Sequence, residues 1–419
     1  MYKLHHLFIS LFLALVVLTC DRNLVKGDSF VVGFSQCTTD SDWRVAMHQA
    51  MYRELAFHPE IDLIIKDADS DNEKQVEHIQ EFIDDQVDLI IVSPNESDPI
   101  TPIVEAAVKR DIPVMVLDRR TSSSIYDAYV GGDNYTIGKI AGNYCRRMLE
   151  DGGKVLEIWG LTGSSPAIDR HLGFVDEIGK YPDIELAGRI SGSWMRDTVK
   201  NQLKELVDLY EDVDLVYAHN DIMALGAYEI FKENGLEDKL YIGVDGLLGP
   251  TGGIQLVDEG ILDATLLYPT GGEDAIRLAA KILKGESYDK ENMLQTTVID
   301  SSNVRIMKLQ AERIDAQKKD IARQGEKISE QIRLYRTQQI YLVILIASLL
   351  LVIILGGIVY ASLKANQKVN KELATKNEEV IEMADKAEQA TSAQFKFFTN
   401  ISHEFRTPLT LILASIDDI

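Results

Sequence analysis

From residue 29 to residue 303 the chain alternates apolar runs with amphipathic stretches. The apolar runs fall at residues 30–35, 61–68, 88–94, 112–119, 154–160, 214–220, 241–246 and 264–269. Each is short and rich in β-branched residues, and most are apolar on consecutive positions, which is how a strand buried on both faces reads. Stretches with helical spacing follow nearly every one, at 43–57, 72–84, 99–110, 135–149, 197–209, 221–233 and 270–283. Strand and helix in strict alternation predict an α/β fold with parallel sheets joined by crossover helices.

After Asn303 the pattern changes period. Met307, Ile314, Ile321, Ile328 and Tyr335 recur every seven residues, and Gln310, Gln317, Gln324, Gln331 and Gln338 follow each by three. This is a heptad with apolar a positions and glutamine at d, a seam weaker than one with leucine at d. It predicts a helical coil that pairs marginally with a second copy. Residues 340–360 are then uncharged and apolar throughout. As a helix they span roughly 31 Å, enough for a bilayer core. Tyr341 and Tyr360 stand at its ends, where aromatic belts lie. A second heptad-like seam through Val369, Leu373, Val380, Met383, Ala387 and Ala390 leads on to Phe397 and Ile401.

The N-terminus has one lysine, an apolar stretch from Leu7 to Leu18 and then Thr19–Cys20. That order reads as an export signal over residues 1–20, with Cys20 where a lipoprotein signal places its acceptor. Export sets the orientation: residues 21–339 outside, 361–419 inside. Charge is uneven. Residues 308–419 carry 15 Lys and Arg against 14 Asp and Glu, so the first 307 hold essentially all of the formal charge of −23. So acidic a domain is unsuited to nucleic acid. Three cysteines give neither a disulfide framework nor a metal spacing.

Polar residues gather where the apolar runs end: Ser35 and Gln36, Asp118 and Arg119, Asn220 and Asp221, and Asp245. Open α/β sheets bind ligands beyond the carboxyl ends of their strands. No glycine-rich nucleotide signature is present. Carboxylate, guanidinium and amide groups suit a neutral polyhydroxyl ligand. Trp43 and Trp194, read here as loop residues, supply aromatic faces for a sugar ring. Asp221 reads as a helix cap. His171 and His219 read as structural.

The blocks FVVGFSQ, IPVMVLDR, VGGDNYTIGKIAG, AIDRHLGF, AHNDIMALGA, IGVDG and ATLLYPTGG, in this order and spacing, resemble the periplasmic sugar-binding proteins of the ribose-binding type over roughly residues 29–290. The resemblance implies two α/β lobes closing on one monosaccharide. It assigns sugar contacts to Asp118, Arg119, Arg170, Asn220 and Asp245, with Trp194 as a pocket aromatic. Two departures bear on which sugar. The first loop reads QCTTDSDWR, with Trp43 as the substitute aromatic, and Tyr268 stands where ribose binders carry glutamine. A small ketose or pentose, such as fructose or ribose, fits best.

The stretch FFTNISHEFRTPLTLIL at residues 397–413 resembles the phosphoacceptor box of sensor histidine kinases. The resemblance makes His403 the acceptor of the γ-phosphoryl group of ATP. Its neutral imidazole has a free lone pair near pH 7. Glu404 orients the ring and takes its proton, and Thr407, one turn on, assists phosphatase chemistry. No ATP-binding box occurs in the 419 residues, so ATP and Mg²⁺ are expected at a kinase domain beyond Ile419, and the chain itself needs no cofactor and no metal.

The expected organisation is therefore a signal segment (1–20), a periplasmic sugar-binding domain (29–305), a coiled linker (306–339), one transmembrane helix (340–360), a cytoplasmic helical linker (361–394) and the start of a dimerisation and phosphoacceptor domain (395–419). This architecture resembles the hybrid two-component systems of gut Bacteroidetes. It implies a homodimer in the bacterial inner membrane, a monosaccharide ligand and a response-regulator receiver as phosphoryl acceptor. The alternative is a binding protein that serves a transporter, which accounts for the α/β region but not for a membrane helix followed by a kinase box.

Overall fold

The computed structural model describes residues 29–414, so the export signal and Cys20 lie outside the described residues. Five strands come first: β1 (Phe30–Gln36), β2 (Ile61–Asp67), β3 (Leu89–Ser93), β4 (Val114–Leu117) and β5 (Ala128–Gly132). They belong to one sheet. The next five belong to another: β6 (Gly153–Trp159), β7 (Ile184–Ser191), β8 (Leu215–Ala218), β9 (Leu240–Asp245) and β10 (Ala264–Leu267). The chain then returns to complete each sheet with one edge strand, β11 (Glu291–Leu294) and β12 (Val298–Asp300). The orders are β11-β5-β4-β3-β1-β2 and β12-β10-β9-β8-β6-β7. Among these strands only β12 pairs antiparallel, with β10. Two lobes with three chain crossings between them result, at residues 132–134, 267–272 and 294–298.

The intervening helices are α1 (Asp42–Leu55), α2 (Asn72–Asp84), α3 (Ser97–Val108), α4 (Asn134–Met148), α5 (Ser165–Ile178), α6 (Arg196–Leu206), α7 (Asp221–Glu233), α8 (Gly253–Asp258) and α9 (Gly272–Leu283). Side chains stop the strands and start the helices. Asp71 accepts from the Glu73 and Lys74 amides at the start of α2. Asp133 caps α4 at Thr136, and Asn220 caps α7 at Met223. Each satisfies amides that a helix start leaves unpaired. An apolar core runs from Val32 and Phe34 in the first sheet to Tyr217 and Ile242 in the second.

The α4–α5 contact positions a key side chain. A Cβ on Gly138 would lie 2.1 Å from the Arg170 carbonyl oxygen, and one on Gly173 would lie 2.0 Å from that of Tyr135. Only glycine lets these helices approach so closely, and the approach seats Arg170 against the crossing at Asn134.

Several expectations need correction. Trp43 lies inside α1, as the helical stretch 43–57 implies and contrary to its reading as a loop residue, and its indole is buried. Asp221 is not a cap; Asn220 is, and the Asp221 carboxylate points inward. β5, β7, β11, α5 and α8 were not anticipated.

The long helix α10 (Val304–Ala414) follows. The chain divides after Glu326 into two units. In the first, Val304 is buried in the core of the second lobe, with Met307 and Ala311 packed on it. Lys308 pairs with Asp258 at 2.6 Å and Lys318 with Glu273 at 2.7 Å. The heptad residues Ile314, Ile321 and Ile328 are exposed in this single chain. The second unit is helical throughout its described part. It carries the segment long and apolar enough to cross a membrane, with a mean hydropathy of 3.2 over its best window. Helix continues through Pro408, and His403 is exposed on it.

Candidate functional site

A cavity of about 380 Å³ opens between the lobes, where the carboxyl ends of both sheets face each other. Trp43, Asp118, Arg119, Arg170, Trp194, Asn220, Asp245 and Tyr268 all line it. The sequence-predicted contacts, spread over more than two hundred residues, thus share one wall-to-wall space.

The first lobe supplies a closed ion-pair network. Asp118, one residue beyond β4, adopts a left-handed φ of 64°. Non-glycine residues take this conformation at a cost, and the turn leaves the carboxylate on the cavity wall. Its Oδ2 accepts from Arg44 Nη2 at 2.6 Å, and its Oδ1 accepts from the Tyr268 hydroxyl at 2.8 Å. Arg44 also donates to Ser93 Oγ at 3.0 Å. Arg119 donates to the Asn95 carbonyl at 2.8 Å. Burial, with the like charge of Arg44 beside it, lowers the Arg119 pKa.

The second lobe is built differently. Arg170 reaches up from α5, its Nε donating to Asn134 Oδ1 at 2.9 Å and its Nη1 to the His219 carbonyl. Its guanidinium lies 4.6 Å from the Tyr268 ring centre and 5.6 Å from that of Trp194. Trp194 sits in the turn before α6, also with positive φ. Asn220 uses its oxygen to cap α7 and its amide to hold the Trp194 carbonyl at 3.2 Å. Asp245, at the end of β9, receives no side-chain hydrogen bond from the described residues. Burial, then the neighbouring charge of Asp221, pushes its pKa well up. Asp221 lies deeper, accepting from the Gly246 amide at 2.8 Å and from Thr265 Oγ1 at 2.6 Å. Burial raises its pKa too.

Aromatic groups complete the walls. Trp43 and Tyr268 stack at 5.5 Å with 20° between planes, and Trp43 Nε1 donates to the Tyr268 carbonyl at 3.0 Å. Carboxylates, guanidinium groups, an amide and flat apolar faces in one cavity of this size suit a small polyhydroxylated ring.

The histidines take no part in the cavity wall. His219 is buried, donates from Nε2 to Glu157 Oε1 at 3.0 Å and accepts from the Gly160 amide at Nδ1. Burial lowers its pKa, so it stays neutral. His171 holds the other oxygen of Glu157 at 2.8 Å. Cys37 and Cys145 are buried and unpaired. In the second unit, Thr407 Oγ1 donates to the His403 carbonyl at 3.0 Å. That ties its hydroxyl to the helix backbone one turn back, with Glu404 exposed on the same helix.

Arg44 of the cavity wall and Asn134 behind it were not anticipated. Arg44 follows Trp43 directly but, alone in a helix, reads as a surface cation. Asn134 reads as the start of a helix.

The profile of the family described as periplasmic binding protein domain matches residues 32–287. The chain belongs to this family. Within it, the fructose-binding periplasmic domain of the hybrid two-component system BT1754 superposes with a TM-score of 0.69 at 39% identity, covering 71% of this chain and 99% of that one. A galactofuranose-binding protein superposes with a TM-score of 0.61 at 28% identity, covering 66% and 96%. The ribose import binding protein RbsB of Escherichia coli (strain K12) is 31% identical over 228 residues, 54% of this chain and 75% of the relative.

Proposed function

We propose that the α/β domain binds a monosaccharide, fructose or a ribose-like sugar, and that the chain is a single-pass sensor controlling phosphorylation of His403. One observation carries the binding half: eight polar and aromatic side chains from both lobes converge on one cavity. Sugar hydroxyls donate to Asp118 and Asp245 and accept from Arg119 and Arg170, while Trp43 and Trp194 cover the ring. A ligand held by both lobes binds the closed form more tightly and shifts the population toward it. Fructose is favoured because the structural relative at 39% identity is a fructose-binding domain.

The signalling half is supported by the long helix. Its first turns are seated in the second lobe, while Lys318 reaches Glu273 at the start of α9, which packs against the first lobe. Hinge motion therefore changes what holds the helix. Farther along, the helix carries an apolar segment of membrane length and then His403. There the imidazole nitrogen forms a bond to the γ-phosphorus of Mg²⁺-bound ATP as the bond to ADP breaks, and Glu404 takes the imidazole proton. A catalytic domain outside these residues supplies the nucleotide, and a receiver domain takes the phosphoryl group onward. The exposed heptad stripe through Ile314, Ile321 and Ile328, ahead of the membrane segment, pairs with the same stripe of a second copy. Cysteines placed at these three positions should crosslink in a sugar-dependent pattern.

Calorimetric titration of the full chain in lipid nanodiscs with fructose, ribose, galactose and glucose tests the binding half. Heat with fructose or ribose is expected; silence with every monosaccharide sinks it. A second reading, a binding protein that delivers sugar to a transporter, is favoured by the ribose import relative. Sugar-dependent phosphate incorporation in membranes holding the full-length receptor, abolished by His403→Gln, separates the two.

A further inference from the structure

We propose that Asn134 is a positioning residue that makes sugar affinity depend on hinge closure. It does so by tying Arg170 in the second lobe to Tyr268 and Asp118 across the crossings between lobes. The inference rests on the sugar-binding reading and goes beyond it, because Asn134 does not line the cavity. Asn134 is 4% exposed and sits at the first crossing, directly after Gly132–Asp133. Its Oδ1 accepts from Arg170 Nε at 2.9 Å, and its Nδ2 donates to the Tyr268 hydroxyl at 3.2 Å. Tyr268 belongs to the second crossing, and its hydroxyl donates to Asp118 Oδ1 at 2.8 Å. Asp118 in turn holds Arg44 on α1.

An unbroken chain of hydrogen bonds therefore runs from α1, through both crossings, to α5. The amide orientation is fixed by chemistry: a guanidinium only donates, so the oxygen must face Arg170 and the NH₂ group must face the phenol. Space at the hinge is matched to the chain. A Cβ on Gly132 would sit 2.4 Å from Tyr268 Cε2, so the ring closes directly over the first crossing. The third crossing is tied in as well, by Thr296 Oγ1 donating to the Leu267 carbonyl at 2.7 Å.

A rotation about the crossings shifts Asn134 and Tyr268 relative to each other, and a hydrogen bond tolerates little such displacement. Opening the hinge then releases the Asn134 amide from the Tyr268 hydroxyl and withdraws the Tyr268 ring from the Arg170 guanidinium, so the guanidinium is oriented for sugar only in the closed form. Within the closed form the protein, not the sugar, fixes this orientation, which lowers the ordering cost of binding.

The test is a double-mutant cycle in the full chain in nanodiscs, with Asn134→Ala, Tyr268→Phe and the pair. Sugar affinity is read by calorimetry. Closure is read as the distance between spin labels on Asp98→Cys and Ile168→Cys, one on each lobe, in a Cys20→Ser background. Each single variant should weaken binding about tenfold, as loss of a buried hydrogen bond does. The double variant should also lose about tenfold, because either change breaks the same chain. The sugar-saturated label distance should broaden toward the sugar-free one. If the double variant loses about a hundredfold, the product of the singles, with an unchanged closed distance, the inference is wrong while the sugar-binding reading stands. If the unaltered protein binds no sugar, the underlying reading fails and takes the inference with it. Should Asn134→Ala not fold, Tyr268→Phe alone decides. It keeps the ring and removes only the linking oxygen, and an unchanged closed distance overturns the proposal.

Discussion

The two walls of the cavity carry the same chemical groups in opposite states. In the first lobe, each oxygen of Asp118 is already held by the protein, one by Arg44 and one by Tyr268. In the second, the Asp245 carboxylate receives no hydrogen bond from the described residues, and desolvation, then the charge of Asp221, drives its pKa up. The first carboxylate belongs to the fold as much as to the ligand. The second has its oxygens left for a ligand. A binding cleft thus divides its work, with one wall rigid before the sugar arrives and the other completed by it.

The largest effect that would break this comparison lies at Asp118. Asp118→Ala leaves the Arg44 guanidinium buried without its counter-ion, and breaking a buried pair from one side costs about 3–5 kcal/mol. Sugar affinity should fall by at least about a hundredfold, and the domain should melt well below the unaltered protein. Scanning calorimetry with and without sugar checks both. A variant that loses affinity while its unliganded melting temperature holds would put Asp118 in the same class as Asp245.

Asp245→Asn should behave the other way. Affinity falls about tenfold, since an amide accepts a hydroxyl proton less well than a carboxylate. The sugar-free domain, relieved of the like charge beside Asp221, becomes more stable at neutral pH. The pH dependence follows from the same shift. In an unfolded chain aspartate titrates near 4. In the folded domain burial raises Asp221 to about 7 and Asp245 above its ordinary range. Between those limits the folded state holds protons that the unfolded state has lost. Stability from this pair is therefore full below about pH 4 and is lost as pH rises through the raised values. The margin by which Asp245→Asn exceeds the unaltered protein should shrink as pH falls from 7 to 5. Taking the difference between the two proteins cancels the buried histidines, which have the opposite sign. Glu157 stays silent in this window. Burial opposes its ionisation, but hydrogen bonds from His171 and His219 outweigh that and hold its pKa at about 2. Denaturant titrations at three pH values give the margin directly.

Much of this was legible in the sequence, and the exceptions have physical causes. Strands buried on both faces announce themselves, as β3 and β4 do with every residue inside. β7 is an edge strand with mixed exposure, β11 opens on charged and polar residues, and β5 ends in two glycines that read as a turn. Helix α5 was hidden by its function: Arg170 is buried on the face where the helical pattern calls for an apolar residue. Arg44 hid for the same reason. Its partner Asp118 is 74 residues away, and only the fold brings them together. Asp118, Asn220 and Asp245 were legible because they stand at strand ends, where this architecture gathers its ligand groups.

The smallest predicted effect lies outside the cavity and tests whether its two walls are read out together. The exit helix is seated in the second lobe through Val304, while the Lys318–Glu273 pair ties it to α9 beside the first. Glu273 is shared with Arg53 of α1, so this contact reports on the rigid wall's lobe. The pair is partly exposed, and such pairs contribute roughly 0.2–1 kcal/mol. Lys318→Ala should therefore change sugar affinity by no more than about fivefold and leave the melting temperature nearly untouched. On the proposed signalling role, its effect should appear downstream, as a changed ratio of His403 phosphorylation with and without sugar. Raised salt should mimic the variant, because the same ions screen the pair. If Lys318→Ala and raised salt both leave that ratio unaltered, the helix takes its signal from the second lobe alone. The first wall then acts only as the surface against which the second closes.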